Sequence, residues 1–129
     1  MFDDVAFGPL NMGLPDDEVV ERTHWALEQV QMGNYAARMP HHLSLGEKKK
    51  VSIATVLSMK PLILALDEPS AGLDPAARRN LIELLQRLPQ TMLIASHDIA
   101  FVREVCNRII VMEAGRIVDN EGQRSAFSV

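Results

Sequence analysis

The sequence has little of what a disulfide-bonded or membrane-spanning protein needs. Cys106 is the only cysteine among 129 residues, so an intrachain disulfide is excluded and no oxidising compartment is indicated. No apolar stretch approaches the roughly 20 residues that a membrane-spanning helix requires, and the N-terminus lacks the pattern of a signal peptide. We therefore expect a soluble, cytoplasmic chain without direct membrane insertion, in which any membrane role depends on partners.

Positive charge is also scarce. The formal net charge is -4, and the longest basic run is Lys48–Lys50. Because nucleic-acid binding normally needs a broad positive surface, no nucleic-acid partner is expected. What the sequence does contain is an ordinary globular composition, with 47% apolar and 23% charged residues. This composition and length fit one domain with its own core.

The first third of the sequence predicts loops and helices. Residues 1–14 contain two glycines and a proline, which are typical of a loop. Pro15 is followed by three acidic residues and predicts the start of a helix, since acids favour the positive end of the helix dipole. Gly33-Asn34 should end that helix, and a short helical piece is expected over 35–39.

A further helix is expected from its capping pattern. Ser44 and Glu47 form the S-x-x-E sequence of a capping box, in which each side chain accepts a hydrogen bond from the backbone of the other residue. The helix should continue to about Met59, because Lys60-Pro61 ends it.

The second half predicts strands that alternate with helices. The apolar runs 62–66 and 91–96 indicate parallel strands buried on both faces. Helices are expected from Asp74, which is followed by proline, and over 98–105. A β-hairpin with Gly115 in its turn follows.

Strand, helix, strand, helix is the order of a parallel α/β unit. We therefore predict an α/β protein in which a helical lobe, residues 1–59, is joined to part of a parallel-sheet lobe, residues 60–129. The polar residues 120–129 are expected to fray at the end of the chain.

Adjacent carboxylates, Asp67 and Glu68, follow the first predicted strand. Ligands of parallel sheets bind beyond the carboxyl ends of strands, so one acid could hold Mg²⁺ while the other orients or deprotonates a water. His97 follows the second strand and should reach the same edge. The helix N-terminus at Ser44 is a possible anion site. The simpler interpretations are solvated loop acids, a structural histidine and an ordinary capping box.

The order of four motifs, LSLGE, LILALDEP, SAGLD and SH, resembles the ATP-binding cassette (ABC) ATPase family. The resemblance covers nearly the whole chain. The segments FDDVAFGPLNMGLP and LIASHD are most similar to the ATP-binding subunits of cobalt/nickel and energy-coupling-factor importers. It implies a P-loop NTPase-like α/β fold, here a helical lobe plus a partial parallel sheet with flanking helices.

The resemblance implies roles at the strand ends, with ATP and Mg²⁺ as cofactors. Asp67 matches the Walker B aspartate that positions Mg²⁺. Glu68 matches the catalytic glutamate that polarises the attacking water. His97 matches the switch histidine that contacts the γ-phosphate.

Further matches imply a partner subunit. Ser44, Gly46 and Glu47 occupy signature positions, which in this family hold the ATP bound to the opposite subunit of a head-to-tail dimer. Asp74 matches the final acid of the loop that crosses the dimer interface. The implied partners are a second ABC ATPase subunit, in a homo- or heterodimer, and membrane-embedded transport subunits.

The sequence departs from the family pattern in two ways. Leu45 stands where a glycine is usual, and Glu47 replaces a common glutamine. The phosphate loop G-x-x-x-x-G-K-[ST], known as Walker A, is not found in the 129 residues, nor is the glutamine loop. Both would lie upstream of Met1 in a family member, so we expect an N-terminally truncated C-terminal portion.

Three functions follow from these observations. The first is an ATP-hydrolysing subunit of an importer for cobalt/nickel or a vitamin, acting at the inner face of the membrane through partners. The second is a non-catalytic ABC-derived module that serves interaction or structure, or a gene remnant. The third, an ABC-type ATPase acting on DNA, is less favoured because heptad coiled coils and a basic surface are missing. Without the strand of the phosphate loop, an open sheet edge should promote self-association.

Overall fold

The computed structural model describes residues 1–35 and 43–121. Its helices and strands are α1 (Phe2–Asn11), α2 (Asp16–Gln29), a 3-10 helix (Gly33–Tyr35), α3 (Leu45–Leu57), β1 (Ile63–Asp67), α4 (Pro75–Arg87), β2 (Thr91–Ala95), α5 (Ile99–Val105), β3 (Ile109–Glu113) and β4 (Arg116–Glu121). Helices come first and strands alternate with helices afterwards, as the sequence predicts for an α/β protein. The helical piece expected over 35–39 lies outside the described residues beyond Tyr35, as does the tail from 122 onward. Fraying from residue 120 is wrong for Asn120 and Glu121, which pair with β3 as the end of β4.

The first segment is a helix, so the loop predicted over residues 1–14 is wrong. Helix α1 runs through Gly8 and Pro9 and buries Pro9 together with its apolar neighbours. Gly8 is a point of close approach, since a Cβ there would lie 2.7 Å from Cγ of Met59. Packing of α1 against α2 and α3 therefore outweighs the helix-breaking tendency of glycine and proline.

Helix α2 ends earlier than the glycine at position 33 indicates. Gln31 adopts the left-handed conformation, with φ of 60°. Its N–H donates to the Glu28 carbonyl at 2.9 Å, and the Met32 N–H donates to the Leu27 carbonyl at 2.7 Å. This pair of hydrogen bonds is the Schellman motif, which usually has glycine at the left-handed position. A glutamine supplies it here, which is why a glycine search misplaces the end.

Strands β1 and β2 form a two-stranded parallel sheet, paired from Ile63 with Thr91 to Asp67 with Ala95. The inward face of this sheet consists of four apolar side chains that belong to the core or pack against it, namely Leu64, Leu66, Met92 and Ile94. The prediction that both faces are buried is wrong. Ile63 and Leu93 are 62% and 68% exposed, because side chains alternate between faces and only one face is covered.

The predicted hairpin is present as strands β3 and β4. Ala114 and Gly115 connect them, with φ of 46° and 76°. Two positive φ values in a two-residue loop define a type I′ turn, whose twist matches that of the flanking strands.

One hydrophobic core joins the helical part of the chain to the sheet. It contains Val5 of α1, Leu27 of α2, Leu57 of α3, Leu64 of β1 and Phe101 of α5, each with 0% exposure. The carboxyl ends of the strands are therefore supported by the packed hydrophobic core. Within the described ranges, 1–35 and 43–121, no helix is both long enough and apolar enough to cross a membrane.

Candidate functional site

The carboxyl ends of β1 and β2 lie side by side. Asp67, the last residue of β1, pairs with Ala95, the last residue of β2. One residue further, the Glu68 N–H donates to the Ala95 carbonyl at 2.8 Å. The chain turns here, since Glu68 has a φ of 43°, a left-handed conformation that is uncommon for residues other than glycine. Glu68 and His97 thus leave the sheet at the same edge, as the sequence predicts.

The Glu68 carboxylate is held by three hydrogen bonds from the segment that follows β2. The Ser96 hydroxyl donates to Oε2 at 3.1 Å, and the His97 backbone N–H donates to Oε1 at 3.0 Å. The His97 ring approaches the same oxygen, with Nδ1 at 2.7 Å. Both carboxylate oxygens therefore have a fixed orientation at the mouth of the sheet.

Charge at this pair is set by the contact between the two side chains. The hydrogen bond from His97 lowers the pKa of Glu68, so that its carboxylate is the favoured form. The hydrogen bond and the negative charge of Glu68 raise the pKa of His97, which favours the imidazolium. The His97 side chain is 87% exposed, so its ring can be reached from solvent. A carboxylate with a lowered pKa is a weak base, so it is better suited to orienting and polarising a water molecule than to taking its proton before bond formation.

Asp67 presents an exposed carboxylate at the same edge. Oxygen ligands of this kind suit Mg²⁺, which is typically held by one or two carboxylates together with phosphate oxygens. In the described part of the chain, no group of three or more His, Cys, Asp or Glu residues is placed to hold a metal ion alone.

The residues predicted to hold signature positions lie at the N-terminus of α3, where the predicted capping box is present. The Ser44 hydroxyl accepts from the Glu47 N–H at 3.2 Å, and the Ser44 N–H donates to Glu47 Oε2 at 2.8 Å. Gly46 faces α4, since a Cβ at this position would lie 3.0 Å from Cβ of Ala77. A side chain at Gly46 would therefore crowd the start of α4.

The loop before α4 lies against this helix end. Asp74 caps α4 and accepts from the N–H groups of Ala76 and Ala77, both at 2.9 Å. Gly72 has a φ of 74°, and a Cβ on it would lie 3.1 Å from Cδ2 of Leu45. The structure thus groups Ser44, Gly46 and Glu47 near Asp74, and it groups Glu68 with His97 and Asp67.

Lys49 joins these two groups. Its Nζ donates to the carbonyl of Glu68 at 3.2 Å and to that of Pro69 at 2.8 Å. The sequence shows Lys49 only as the middle of a basic run, and nothing in that run singles it out. Asp98 and Arg78 were also not predicted as residues that support the site. Asp98 did carry a local signal, because an Asp before a short helix is typical of a capping residue.

A sequence model of the family described as "AAA domain, putative AbiEii toxin, Type IV TA system" matches residues 2–103. A putative ABC transporter ATP-binding protein of Geobacter sulfurreducens is 52% identical over 127 residues, which are 98% of this chain and 51% of that protein. The energy-coupling factor transporter ATP-binding protein EcfA of Methanothermobacter thermautotrophicus is 48% identical over 119 residues, 90% of this chain and 38% of that protein.

A solved structure gives the same result. CbiO1 from Clostridium perfringens, described as part of the ABC transporter complex CbiONQ, matches with a TM-score of 0.83 and 42% identity, over 90% of this chain and 48% of that chain. The chain thus spans about half the length, or less, of the proteins it matches.

The fold is that of ABC ATPase domains, the P-loop NTPase fold. The chain belongs to the AAA-domain family whose model it matches, and its relatives identify it as part of an ABC ATPase. The resemblance carried by the four sequence motifs is therefore confirmed. The toxin in the family description is not echoed by these relatives, which are ABC transporter ATP-binding proteins.

Proposed function

We propose that the chain supplies the Walker B, signature and switch residues of an ATP-hydrolysing subunit of an ABC importer. Its substrate class would be a cobalt or nickel ion or a vitamin, and ATP hydrolysis would drive transport through membrane-embedded subunits. The subunit would lie in the cytoplasm at the inner face of the membrane. Similarity to EcfA and to CbiO1 supports this transporter class. Within it, residues 1–59 would form the helical signature lobe and residues 60–129 part of the ATPase core.

The observation that carries the proposal is the held Glu68 carboxylate. Ser96 and His97 fix both of its oxygens, at 3.1 and 3.0 Å, at the carboxyl edge of a parallel sheet where ligands of such sheets bind. With its pKa lowered, Glu68 is ionised and oriented before any ligand arrives. Such preorganisation is what an attacking water needs from the group that polarises it.

The other site residues take complementary parts. Asp67 would hold Mg²⁺, which supplies charge neutralisation for the phosphates of ATP. His97 would meet the γ-phosphate, since its exposed ring carries a raised pKa and so favours a positive charge. Ser44, Gly46 and Glu47 would act on the ATP of a partner subunit, and Asp74 would shape the loop at that interface.

A second candidate, a non-catalytic interaction module, is favoured by the uncovered sheet face. Ile63 and Leu93 expose apolar surface that a packed ATPase core would cover. Mg-ATP binding by the 129-residue chain separates the candidates. Micromolar affinity would contradict the non-catalytic function, whereas its absence would leave catalysis dependent on a phosphate loop from elsewhere.

The catalytic proposal is tested in a chimera in which this chain replaces the matching half of Clostridium perfringens CbiO1. We expect Glu68→Gln to lower ATP turnover by at least about 100-fold, because the water loses its polarising carboxylate. Mg-ATP affinity should change little, since Glu68 is not a phosphate ligand in this proposal. Glu83→Gln, on the exposed side of α4, is the matched control. Retained turnover in the Glu68→Gln chimera would refute the role of Glu68.

A further inference from the structure

A second charged cluster lies behind the Glu68–His97 pair and is centred on Asp98. Arg78, on α4, grips this carboxylate with two nitrogens: Nε lies 3.2 Å from Oδ2, and Nη2 lies 3.3 Å from Oδ1. Such a two-pronged contact fixes the orientation of both partners, which a single contact from a lysine would not do. Asp98 is therefore tied to a different helix from the one that it begins.

Asp98 also orders its own segment. Its Oδ1 accepts from the Phe101 N–H at 2.9 Å, which caps α5, and its Oδ2 accepts from the Ser70 hydroxyl at 3.3 Å. Its backbone N–H donates to the Ser96 hydroxyl oxygen at 3.1 Å. That hydroxyl donates in turn to Glu68. A continuous chain of hydrogen bonds therefore runs from α4 to the Glu68 carboxylate.

We propose that Arg78 is a positioning residue for the Glu68–His97 pair. By clamping Asp98, it holds the turn 96–98 so that the Ser96 hydroxyl and the His97 N–H both reach the carboxylate. Arg78 touches neither Glu68 nor His97 in its described contacts, so it acts through Asp98. The effect of Arg78 on catalysis rests on the function proposed above, whereas its effect on the geometry of the turn 96–98 does not depend on that function.

The surroundings of Arg78 favour a fixed clamp over a loose surface ion pair. Its side chain is 27% exposed and that of Asp98 is 32% exposed, so water competes only in part. The guanidinium also lies 5.8 Å from the centre of the Phe101 ring, within the range of a cation–π contact. The mutual hydrogen bonds raise the pKa of Arg78 and lower that of Asp98, consistent with two charged partners. A third contact, from Nη1 to Glu104 at 3.4 Å, lies on the more exposed side.

The test is NMR-detected amide hydrogen exchange in the chain itself. In Arg78→Gln we expect exchange at the His97 and Phe101 amides to become roughly tenfold faster, since both depend on the held Asp98 segment. The Glu68 amide, bonded to the strand β2 carbonyl of Ala95, should keep its rate. Arg78→Lys should restore little, because the charge returns without the fork.

Arg79→Gln is the matched control, since Arg79 is exposed one residue further along the same helix. Unchanged exchange at His97 in Arg78→Gln would overturn the proposal, and so would an equal acceleration at every amide, which indicates only global stability. If Arg78→Gln does not fold, Arg78→Lys gives the test, because it keeps the charge but loses the two-pronged contact and should accelerate the same two amides relative to the unsubstituted chain. Retained turnover in the Glu68→Gln chimera would overturn the proposed function but not this result.

Discussion

At the scale of single residues, Glu68 and His97 each set the charge of the other. Because the pKa of His97 is raised, the contribution of its charge to stability is fully present below about pH 6.5, its ordinary pKa. That contribution is lost as pH rises through the raised pKa. Because the pKa of Glu68 is lowered, the contribution of its charge to stability is fully present above about pH 4.5, its ordinary pKa. That contribution is lost as pH falls through the lowered pKa. Both partners are therefore charged throughout the window between these two values.

This coupling predicts the titration of His97. Glu68→Gln should bring the pKa of His97 down towards its ordinary value, because the hydrogen bond and the negative charge of Glu68 are the main causes of its rise. NMR titration of the imidazole ring without added Mg²⁺ measures it. Glu83→Gln, which removes one negative charge elsewhere, should leave the titration as it is. A raised pKa that persists in Glu68→Gln would show that Asp98, not Glu68, governs the ring.

At the scale of elements, a contact between α3 and the end of β1 links the predicted signature residues to the strand-end acids. The Lys49 ammonium bridges two successive carbonyls, those of Glu68 and Pro69, at the residue whose backbone is left-handed. A left-handed conformation at a residue with a side chain costs on the order of 1 kcal/mol, and contacts around it must offset that cost. Lys49 supplies two such contacts from a neighbouring helix.

Lys49→Met should therefore lower the free energy of unfolding by about 1 kcal/mol, since it keeps the aliphatic stem and removes the donors. The midpoint of urea unfolding at low protein concentration measures the change. Lys48→Met is the matched control, because Lys48 is the exposed preceding residue of the same helix. Equal midpoints for the two variants would mean that the Lys49 bridge contributes nothing to stability.

Elements with a local signal could be predicted, and those that depend on distant contacts could not. The capping box of Ser44 with Glu47 and the helix cap at Asp74 each depend on residues within three positions of each other, and the structure shows both. The strand ends followed from buried apolar runs, which brought Glu68 and His97 to one edge. Helix α1 was missed because its proline and glycine are tolerated only through packing on α2 and α3. The Arg78–Asp98 clamp joins residues 20 positions apart, and no local pattern encodes it.

At the scale of the whole molecule, the parallel sheet and the hairpin both expose large apolar side chains. Leu62, Ile63 and Leu93 are 90%, 62% and 68% exposed around the parallel sheet. Met112 and Ile117 of the hairpin are each 63% exposed. Soluble monomers rarely leave such surface contiguous, and a two-stranded parallel sheet also has two unpaired edges. Both features favour association through the parallel sheet.

The isolated chain is therefore expected to self-associate, with an average mass in light scattering that rises with protein concentration. Leu93→Lys should move the association midpoint to at least about tenfold higher concentration, because a charge replaces an apolar side chain that the contact would bury. Val20→Lys makes the same chemical change at a residue of α2 that is 45% exposed, away from the sheet, and should leave the midpoint unchanged. A mass that stays monomeric at every concentration would contradict association altogether. Equal shifts in the two variants would instead show that net charge controls it, because only a contact made through the sheet face distinguishes position 93 from position 20.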